Sequence, residues 1–296
     1  MTIRFDNRVV LVTGAGGGLG RAHALALAAR GAKVVVNDIG AAAHTVADEI
    51  TAAGGQALAC VASVTDPAAV DAMVAHTMQR WGRVDVLVNN AGILRDKSFA
   101  KMSLEDFSLV MNVHLMGAVH CCKAVWDIMR AQNYGRIVMT TSSSGLWGNF
   151  GQSNYGAAKM ALVGLMQTLA LEGEKHNIRV NALAPTAATD MTAGLMPEPV
   201  LAQLSPEAVT PALLYLACDD APTRAIVCAG AGSFEAAQIT LTQGVHLTAA
   251  SRTAEEVAAQ FAAISDRDGS TVPASGTEQT LHELGKAQAV GIAGLD

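Results

Sequence analysis

The chain has 296 residues, of which 51% are hydrophobic and 16% charged, and its formal net charge is −6. A negative balance without basic runs or clustered aromatic residues argues against nucleic acid or an anionic membrane surface as a partner. Every apolar stretch of membrane-spanning length is interrupted by glycine or polar residues, and the first predicted strand leaves no room for a signal peptide, so we expect a cytoplasmic protein.

The first predicted element is a buried strand over Arg8 to Val12, which leads into a glycine-rich turn and then an alanine-rich helix. Such a turn lets the backbone approach a pyrophosphate, whose charge the free N–H groups of the helix N-terminus attract. A tight turn that binds nothing is the alternative. The residues expected at the cofactor are Gly14, Gly16, Gly18, Leu19 and Gly20.

The second predicted strand, Lys33 to Asn37, is followed by Asp38, roughly 20 residues beyond the glycine turn. A carboxylate at this position accepts hydrogen bonds from the ribose hydroxyls of NAD and repels the 2′-phosphate of NADP. No Arg or Lys lies beside it in the sequence to neutralise that phosphate. Asp38 therefore predicts NAD as the cofactor, with an N-cap role for the next helix as the alternative.

Further strands alternate with helical stretches along the chain, and this alternation predicts an α/β fold, a doubly wound parallel sheet of the Rossmann type, over residues 1–245. Ligands bind such sheets at the carboxyl ends of the strands. These later strands are predicted at Gln56 to Ala62, Val84 to Val88, Arg136 to Thr140, Arg179 to Leu183 and near Arg224 to Cys228.

Residues 246–296 are predicted to form a helical C-terminal extension, packed on the domain or on a dimer partner. A capping-box pattern at Thr253 predicts a helix to about Ile264, and a last helix is expected from about Thr277 to Gly285. The five cysteines and eight histidines are scattered without the spacing of metal ligands, so no metal site is predicted.

Tyr155 and Lys159 are four residues apart, a spacing that places a phenol and an ammonium group on one helix face. The phenol of tyrosine is a poor base at neutral pH, and a neighbouring cation stabilises its phenolate. The pair is typical of a proton-transfer site. By itself it is a weak signal, because any long helix can carry such a pair on its surface.

Four motifs together resemble the short-chain dehydrogenase/reductase family. They are the glycine turn, Asn89-Asn90-Ala91-Gly92, Ser142 thirteen residues before Tyr155, and Tyr155-x-x-x-Lys159. The resemblance implies that Tyr155 is the acid/base, that Lys159 lowers its pKa and holds the nicotinamide ribose, and that Ser142 binds the reacting oxygen. It also implies cofactor contacts by Val64, Asn90, Ala91, Gly92, Pro185 and Thr189.

His114 stands where many members of the family carry a catalytic Asn. The (3R)-hydroxyacyl-CoA dehydrogenase branch of the family has His there too, and this chain resembles that branch around Asn90 to Ala100 and Gly148 to Tyr155. Whether His114 joins a water-linked proton relay through Lys159 or is a packed helix residue is left open. Ser63 replaces a common Asp beside Val64, and Thr186 replaces a common Gly after Pro185.

The branch implies oxidation of a secondary alcohol to a ketone, with a (3R)-hydroxyacyl-CoA or a steroid-type substrate, and a homodimer or homotetramer. An NADPH-linked 3-ketoacyl reductase is the alternative enzyme, which Asp38 disfavours. A non-catalytic dinucleotide-binding scaffold is the alternative from a different class. The substrate pocket is not predicted firmly, since its candidate residues serve equally well as core residues: Leu146, Trp147, Phe150, Gln152 and Met191 to Met196.

Overall fold

The computed structural model describes residues 2–188, 201 and 203–293. The chain separates into two compact units, Met1–Ala237 and Gln238–Asp296. The sequence places the boundary after residue 245, whereas the structure places it earlier. Leu241 forms a β-bridge with Thr271, which assigns the residues just before the predicted boundary to the second unit.

The first unit contains a sheet of eight strands in the order β3-β2-β1-β4-β5-β6-β7-β8. All neighbouring pairs are parallel except β7 with β8, which are antiparallel. The doubly wound α/β fold is therefore confirmed. The strands are β1 (Val9–Val12), β2 (Lys33–Asp38), β3 (Gln56–Val61), β4 (Val86–Asn89), β5 (Gly135–Thr140), β6 (Ile178–Thr186), β7 (Ile226–Gly230) and β8 (Ser233–Ala237).

Helices cover both faces of the sheet, because successive strand side chains point to opposite faces and both sets are apolar. Val10 and Val12 pack into one hydrophobic core and Leu11 into the other. The helices are α1 (Gly18–Ala29), α2 (Ala42–Ala52), α3 (Pro67–Trp81), α4 (Leu104–Met111), α5 (Gly117–Gln132), α6 (Ser143–Trp147), α7 (Ser153–Gly173) and α8 (Pro206–Ala217). Helices α1, α2 and α8 contribute to the first core, and α3, α5 and α7 to the second.

Helices α4 and α5 are joined by a π-helical turn, Asn112–Met116, and form one continuous run, Leu104–Gln132. By length and composition alone this run could cross a membrane, which is weak evidence because core helices pass the same test. Its buried residues, which include Val110, Cys121, Val125 and Met129, belong to the first unit's interior. The turn carries His114, one of the predicted site residues.

The second unit contains α9 (Ala254–Ala259), α10 (Phe261–Ile264) and α11 (Gly276–Ala293). Thr253 caps α9 by accepting a hydrogen bond from the N–H of Glu256 at 3.2 Å, so the predicted helix start is confirmed. The last helix continues beyond the predicted end at Gly285. Strand β8 was not predicted, because its residues are exposed and lack the apolar run that marks the other strands.

Candidate active site

Ser142, Tyr155 and Lys159 come together beyond the carboxyl end of β5. Ser142 follows that strand and begins α6, whereas Tyr155 and Lys159 lie on the first turns of α7. The Lys159 Nζ donates to the carbonyl oxygen of Thr140 at 2.5 Å and lies 5.5 Å from the centre of the Tyr155 ring. The predicted triad therefore shares one site.

The structure also separates Ser142 from the neighbouring hydroxyl residues. Thr141 donates its hydroxyl to the carbonyl of Lys159 at 2.7 Å, and Ser144 donates to Oε1 of Gln152 at 2.7 Å. The Ser142 Oγ accepts a hydrogen bond from the N–H of Ser144 at 3.2 Å, which leaves its own proton to donate. Ser142 therefore has the position and the hydroxyl donor that a ligand oxygen requires, and in this structure it is hydrogen-bonded to the phenol of Tyr155.

Burial dominates the electrostatics of Tyr155 and Lys159. It raises the pKa of Tyr155, an effect that a hydrogen bond with Ser142 partly offsets and the charge of Asp96 reinforces. Burial also lowers the pKa of Lys159 to about 7. Both directions have one cause, since an apolar environment disfavours the charged form of either group. The role of Lys159 in lowering the pKa of the phenol stays a prediction.

His114 packs against Tyr155 in an edge-to-face arrangement, with ring centroids 5.2 Å apart. Its Nε2 lies 2.8 Å from the carbonyl oxygen of Ile93, and its Nδ1 has no hydrogen-bond partner among the described residues. Burial and the charge of Lys159 lower the pKa of His114 to about 3. The imidazole is therefore neutral at physiological pH, and the relay role stays a prediction.

Gly92, which ends the Asn89-Asn90-Ala91-Gly92 motif, lies directly against His114. A Cβ at this position would overlap the imidazole ring, so only glycine permits the close approach. Asn90 donates its side-chain N–H groups to the carbonyls of Thr13 at 2.9 Å and Gly14 at 3.1 Å. The motif therefore joins the glycine turn to the catalytic side of the site.

The carboxylate of Asp38 lies at the glycine turn, as predicted, and accepts hydrogen bonds from the N–H groups of Gly16 at 3.0 Å and Gly40 at 3.2 Å. The N-cap of α2 is Ala41, without a side-chain hydrogen bond, so the alternative role of Asp38 as the cap is wrong. A Cβ at Gly16 would lie 2.9 Å from Oδ2 of Asp38, which explains the glycine there.

A cleft of about 400 Å³ opens beside Asp38 at the carboxyl ends of β2 and β4. It is lined by Gly14, Asp38, Val64, Ala91 and Gly92 from the predicted cofactor set, and Arg95 also lines it. Sequence reasoning placed no basic residue near Asp38, because Arg95 is distant in sequence and only the fold brings it here. Its Nε lies 3.8 Å from a carboxylate oxygen of Asp106.

The remaining predicted cofactor residues occupy different places. Gly18 and Gly20 form the turn and the start of α1, and the side chain of Leu19 packs against the core. Pro185 lies in β6 paired with Ala229. Thr189 lies outside the described residues, as do Met191 to Met196.

These residues fit a nicotinamide dinucleotide. The glycine turn has no Cβ atoms in the way at Gly16 and Gly17, the cleft continues from Asp38 to Gly92, and the triad lies beyond it. The opening between β1 and β4 is the point where the strand order reverses, where such sheets bind ligands. Among the described residues, no group of His, Cys, Asp or Glu is arranged to hold a metal ion.

A family model described as short chain dehydrogenase matches residues 8–199 of this chain. The chain therefore belongs to the short-chain dehydrogenase/reductase family of nicotinamide-dependent oxidoreductases, as the motifs predict. Peroxisomal multifunctional enzyme A of Dictyostelium discoideum is 45% identical over 289 residues, which cover 94% of this chain and 64% of that protein.

Two solved structures match closely. Full-length peroxisomal multifunctional enzyme type 2 from Drosophila melanogaster gives a TM-score of 0.81 at 38% identity, covering 94% of this chain and 49% of that chain. A 7α-hydroxysteroid dehydrogenase complexed with NADH and 7-oxo glycochenodeoxycholic acid gives 0.73 at 31% identity, covering 78% of this chain and 95% of that chain. This chain thus spans less than two thirds of its multifunctional relatives, from 25% of the Saccharomyces cerevisiae hydratase-dehydrogenase-epimerase to 64% of the Dictyostelium protein.

Proposed function

We propose that the chain oxidises a secondary alcohol to a ketone with NAD as the hydride acceptor, and that its substrate is a (3R)-hydroxyacyl-CoA. A steroid alcohol is the second substrate class, supported by the similarity to a hydroxysteroid dehydrogenase. The observation that carries the proposal is the meeting of Ser142, Tyr155 and Lys159 beside a cleft that contains the carboxylate of Asp38.

The side chains divide the proton chemistry between them. Ser142 donates a hydrogen bond to the alcohol oxygen and holds it near the phenol, and Tyr155 as phenolate takes the hydroxyl proton. Lys159, when protonated, favours that phenolate from 5.5 Å away. When bound, the nicotinamide supplies the acceptor for the hydride that leaves the same carbon. In the reverse direction the phenol of Tyr155 returns the proton.

Asp38 supports NAD over NADP. Its carboxylate faces the glycine turn through the N–H of Gly16 and would repel a 2′-phosphate. Arg95 lines the same cleft, but its guanidinium already lies beside Asp106 and donates to the carbonyl of Leu94 at 2.8 Å. We therefore expect Asp38→Ala to lower the ratio of kcat/KM with NAD to kcat/KM with NADP by about tenfold or more.

A CoA ester requires positive charge for its phosphates and an apolar wall for its acyl chain. Arg95 and Lys97 lie on the loop after β4, with side chains about half exposed. Trp147 and Phe150, which are 68% and 91% exposed, lie between Ser142 and Tyr155 in the chain. Arg95 and Lys97 share one carboxylate, that of Asp106, so the three together keep a net positive charge, and with the two exposed aromatic side chains they support an acyl-CoA as the substrate.

The first experiment is the initial rate of NAD reduction at 340 nm with a medium-chain (3R)-hydroxyacyl-CoA, its (3S) isomer and a free 17β-hydroxysteroid. We expect turnover of the 3R ester, faster with NAD than with NADP. Turnover of the steroid alone would replace the substrate class. Binding of NAD without turnover of any secondary alcohol would support the scaffold alternative and contradict the proposal.

We also propose a cytoplasmic homodimer or homotetramer. In the single chain, several apolar side chains of α4, the π-helical turn and α7 are exposed to solvent. They include Leu104, Leu109, Met116 and Leu171. An exposed set of this kind is typical of a protein interface. All five cysteines are free thiols, which suits a reducing compartment. Light scattering after size exclusion gives the oligomeric state, and a monomer at micromolar concentration would contradict it.

A further inference from the structure

We propose that Asp96 and Gln152 are positioning residues: Asp96 fixes the direction of the Gln152 amide, and Gln152 anchors Ser144, whose backbone N–H holds the Ser142 oxygen in place for the substrate. The inference rests on the proposed function, since it concerns how Ser142 and Tyr155 are held for proton transfer. Neither residue belongs to the triad, and both reach it through intervening residues.

Asp96 and Gln152 join two segments that are distant in sequence. Asp96 lies on the loop after β4, and Gln152 immediately precedes α7. The Gln152 Nε2 donates to Oδ2 of Asp96 at 2.6 Å. Beside this contact, the N–H of Lys97 donates to the carbonyl of Gly151 at 2.9 Å. The loop after β4 is thereby tied to the start of the helix that carries Tyr155.

The buried side chain of Asn154 strengthens the same junction. Its Nδ2 donates to the carbonyl of Arg95 at 3.0 Å, and its Oδ1 accepts from the N–H of Tyr155 at 2.7 Å. Asn154 is fully buried, so these hydrogen bonds are shielded from water. A change at Asp96 should therefore shift the start of α7, which carries Tyr155.

The carboxylate of Asp96 determines which way the Gln152 amide faces. An ionised carboxylate only accepts hydrogen bonds, so the amide nitrogen must face Asp96 and the amide oxygen must face away. That oxygen accepts from the Ser144 hydroxyl at 2.7 Å and from Nδ2 of Asn149 at 3.1 Å. Reversing the amide would lose the contacts with Asp96 and Asn149 and would make the Ser144 hydroxyl an acceptor at Gln152.

The direction of the Ser144 hydroxyl matters for Ser142. Ser144 already supplies a backbone N–H to the Ser142 Oγ at 3.2 Å, and both side chains are buried. The hydrogen bond from its hydroxyl to Gln152 anchors Ser144, so that this N–H stays on one lone pair of the Ser142 oxygen. The Ser142 oxygen then remains able to donate to the phenol of Tyr155 or to the substrate.

Asp96 also contributes a negative charge near the phenol. The groups that face Tyr155 are Lys159 on α7, the neutral His114 on the π-helical turn, Ser142 at the end of β5 and Asp96 on the loop after β4. Of these, Asp96 supplies the negative charge, and a like charge disfavours the phenolate. Its removal should therefore lower the pH at which Tyr155 loses its proton.

The test compares Asp96→Asn, Asp96→Glu and Gln152→Leu with Asp106→Asn as the matched control. Asp106 lies beside the same loop, paired with Arg95 and Lys97, and does not contact Gln152. Asp96 is exposed, so Asp96→Asn should fold normally. Two readouts are used: kcat and KM for the alcohol across pH, and ¹³C NMR of Cζ-labelled tyrosine, with Tyr155→Phe assigning the Tyr155 signal.

We expect Asp96→Asn to move the titration midpoint of Tyr155 downward by about half a pH unit or more, with Asp96→Glu and Asp106→Asn near the wild-type value. Gln152→Leu should lower kcat about tenfold, the scale of one lost orienting contact, with KM nearly unchanged. A rise in KM at unchanged kcat would make Gln152 a substrate contact and overturn the inference.

If Asp96→Asn leaves both the titration midpoint of Tyr155 and kcat at the wild-type values, the inference is also overturned.

The proposed function and the positioning role can be disproved separately. If the wild-type protein oxidises no secondary alcohol, the proposed function fails, while the NMR titration still decides whether Asp96 acts on Tyr155. If the wild type is active and the variants match it, only the positioning role is lost.

Discussion

The two ends of the same sheet treat their buried polar groups in opposite ways. At the amino end, Asp85 is fully buried and accepts from the N–H of Val9 at 2.8 Å and from Arg83 at 2.6 and 2.8 Å. At the carboxyl end, Lys159 is buried with its ammonium on a single carbonyl, and Thr140 Oγ1 and His114 Nδ1 have no partner among the described residues.

The amino end is closed by its own hydrogen bonds. Arg136 is buried and donates to the carbonyls of Cys218 at 3.0 Å and Asp219 at 2.8 Å, and the hydroxyl of Tyr134 donates to the Asp219 carboxylate at 2.6 Å. Buried polar groups are almost always satisfied in this way. The carboxyl end departs from that rule at Thr140 and His114, where a ligand would bind, so the unused hydrogen-bonding capacity there indicates function, whereas the network of Asp85, Arg136 and Asp219 indicates stability.

Tyr155→Phe is expected to have the largest effect, because it should lower activity at the carboxyl end of the sheet without changing stability. Loss of the phenolic oxygen removes the proton acceptor, so kcat should fall by about a thousandfold. The free energy of unfolding and the affinity for NAD should stay close to wild type, because the ring and its packing on His114 are kept. Initial rates, urea unfolding and NAD titration measure these quantities. A variant that retains a tenth of the wild-type rate would remove Tyr155 from the mechanism.

Asp85→Asn tests the amino end. It leaves the half-buried guanidinium of Arg83 and the N–H of Val9 without the carboxylate that they share, so the free energy of unfolding should fall by about 2 kcal/mol. kcat of the folded fraction should be unchanged. Asp6→Asn is the control, since its pair with Arg4 is exposed and the melting temperature should not move. Equal melting temperatures for both variants would show that burial at this end does not matter.

Lowering the pH should reduce the free energy of unfolding through protonation of His114 at the carboxyl end of the sheet. Its pKa is about 3 in the folded chain against an ordinary value near 6.5, so the unfolded chain binds the proton first and stability falls as pH drops from 6.5 toward 3. Between pH 7.5 and 5 its share of the loss is about 2 kcal/mol. His114→Asn should remove that share in urea unfolding, and the exposed His76→Asn should not. His23, whose pKa is also about 3, leaves a similar loss in both variants.

The smallest expected effect is that of Thr140→Val. The Thr140 hydroxyl is buried without a partner among the described residues, so an apolar group of the same shape should change the free energy of unfolding by less than about 0.5 kcal/mol. NAD affinity, measured by calorimetry, should fall if the hydroxyl serves a ligand. A large loss of stability would mean that the hydroxyl is satisfied within the protein, as at the amino end.

Local sequence patterns were enough to predict most strands of the sheet and most residues of the candidate site. The apolar runs identify β1 to β7, and the glycine turn, Asp38 and the Tyr155/Lys159 spacing identify a dinucleotide site with a proton-transfer pair. The antiparallel strand β8 and the π-helical turn at His114 were missed. An exposed edge strand carries no apolar run, and a π turn differs from an α-helix by one inserted residue, which side-chain periodicity does not reveal.

By itself the sequence determined the alternation of strands and helices along the chain, the family and the residue types of the site, because each follows from local apolar runs and motif spacing. Tertiary structure alone decided which hydroxyl lies at the phenol of Tyr155, that His114 is neutral, and that Asp96, Gln152 and Arg95 border the site. These properties depend on burial and on partners from distant segments, and no spacing along the chain encodes either one.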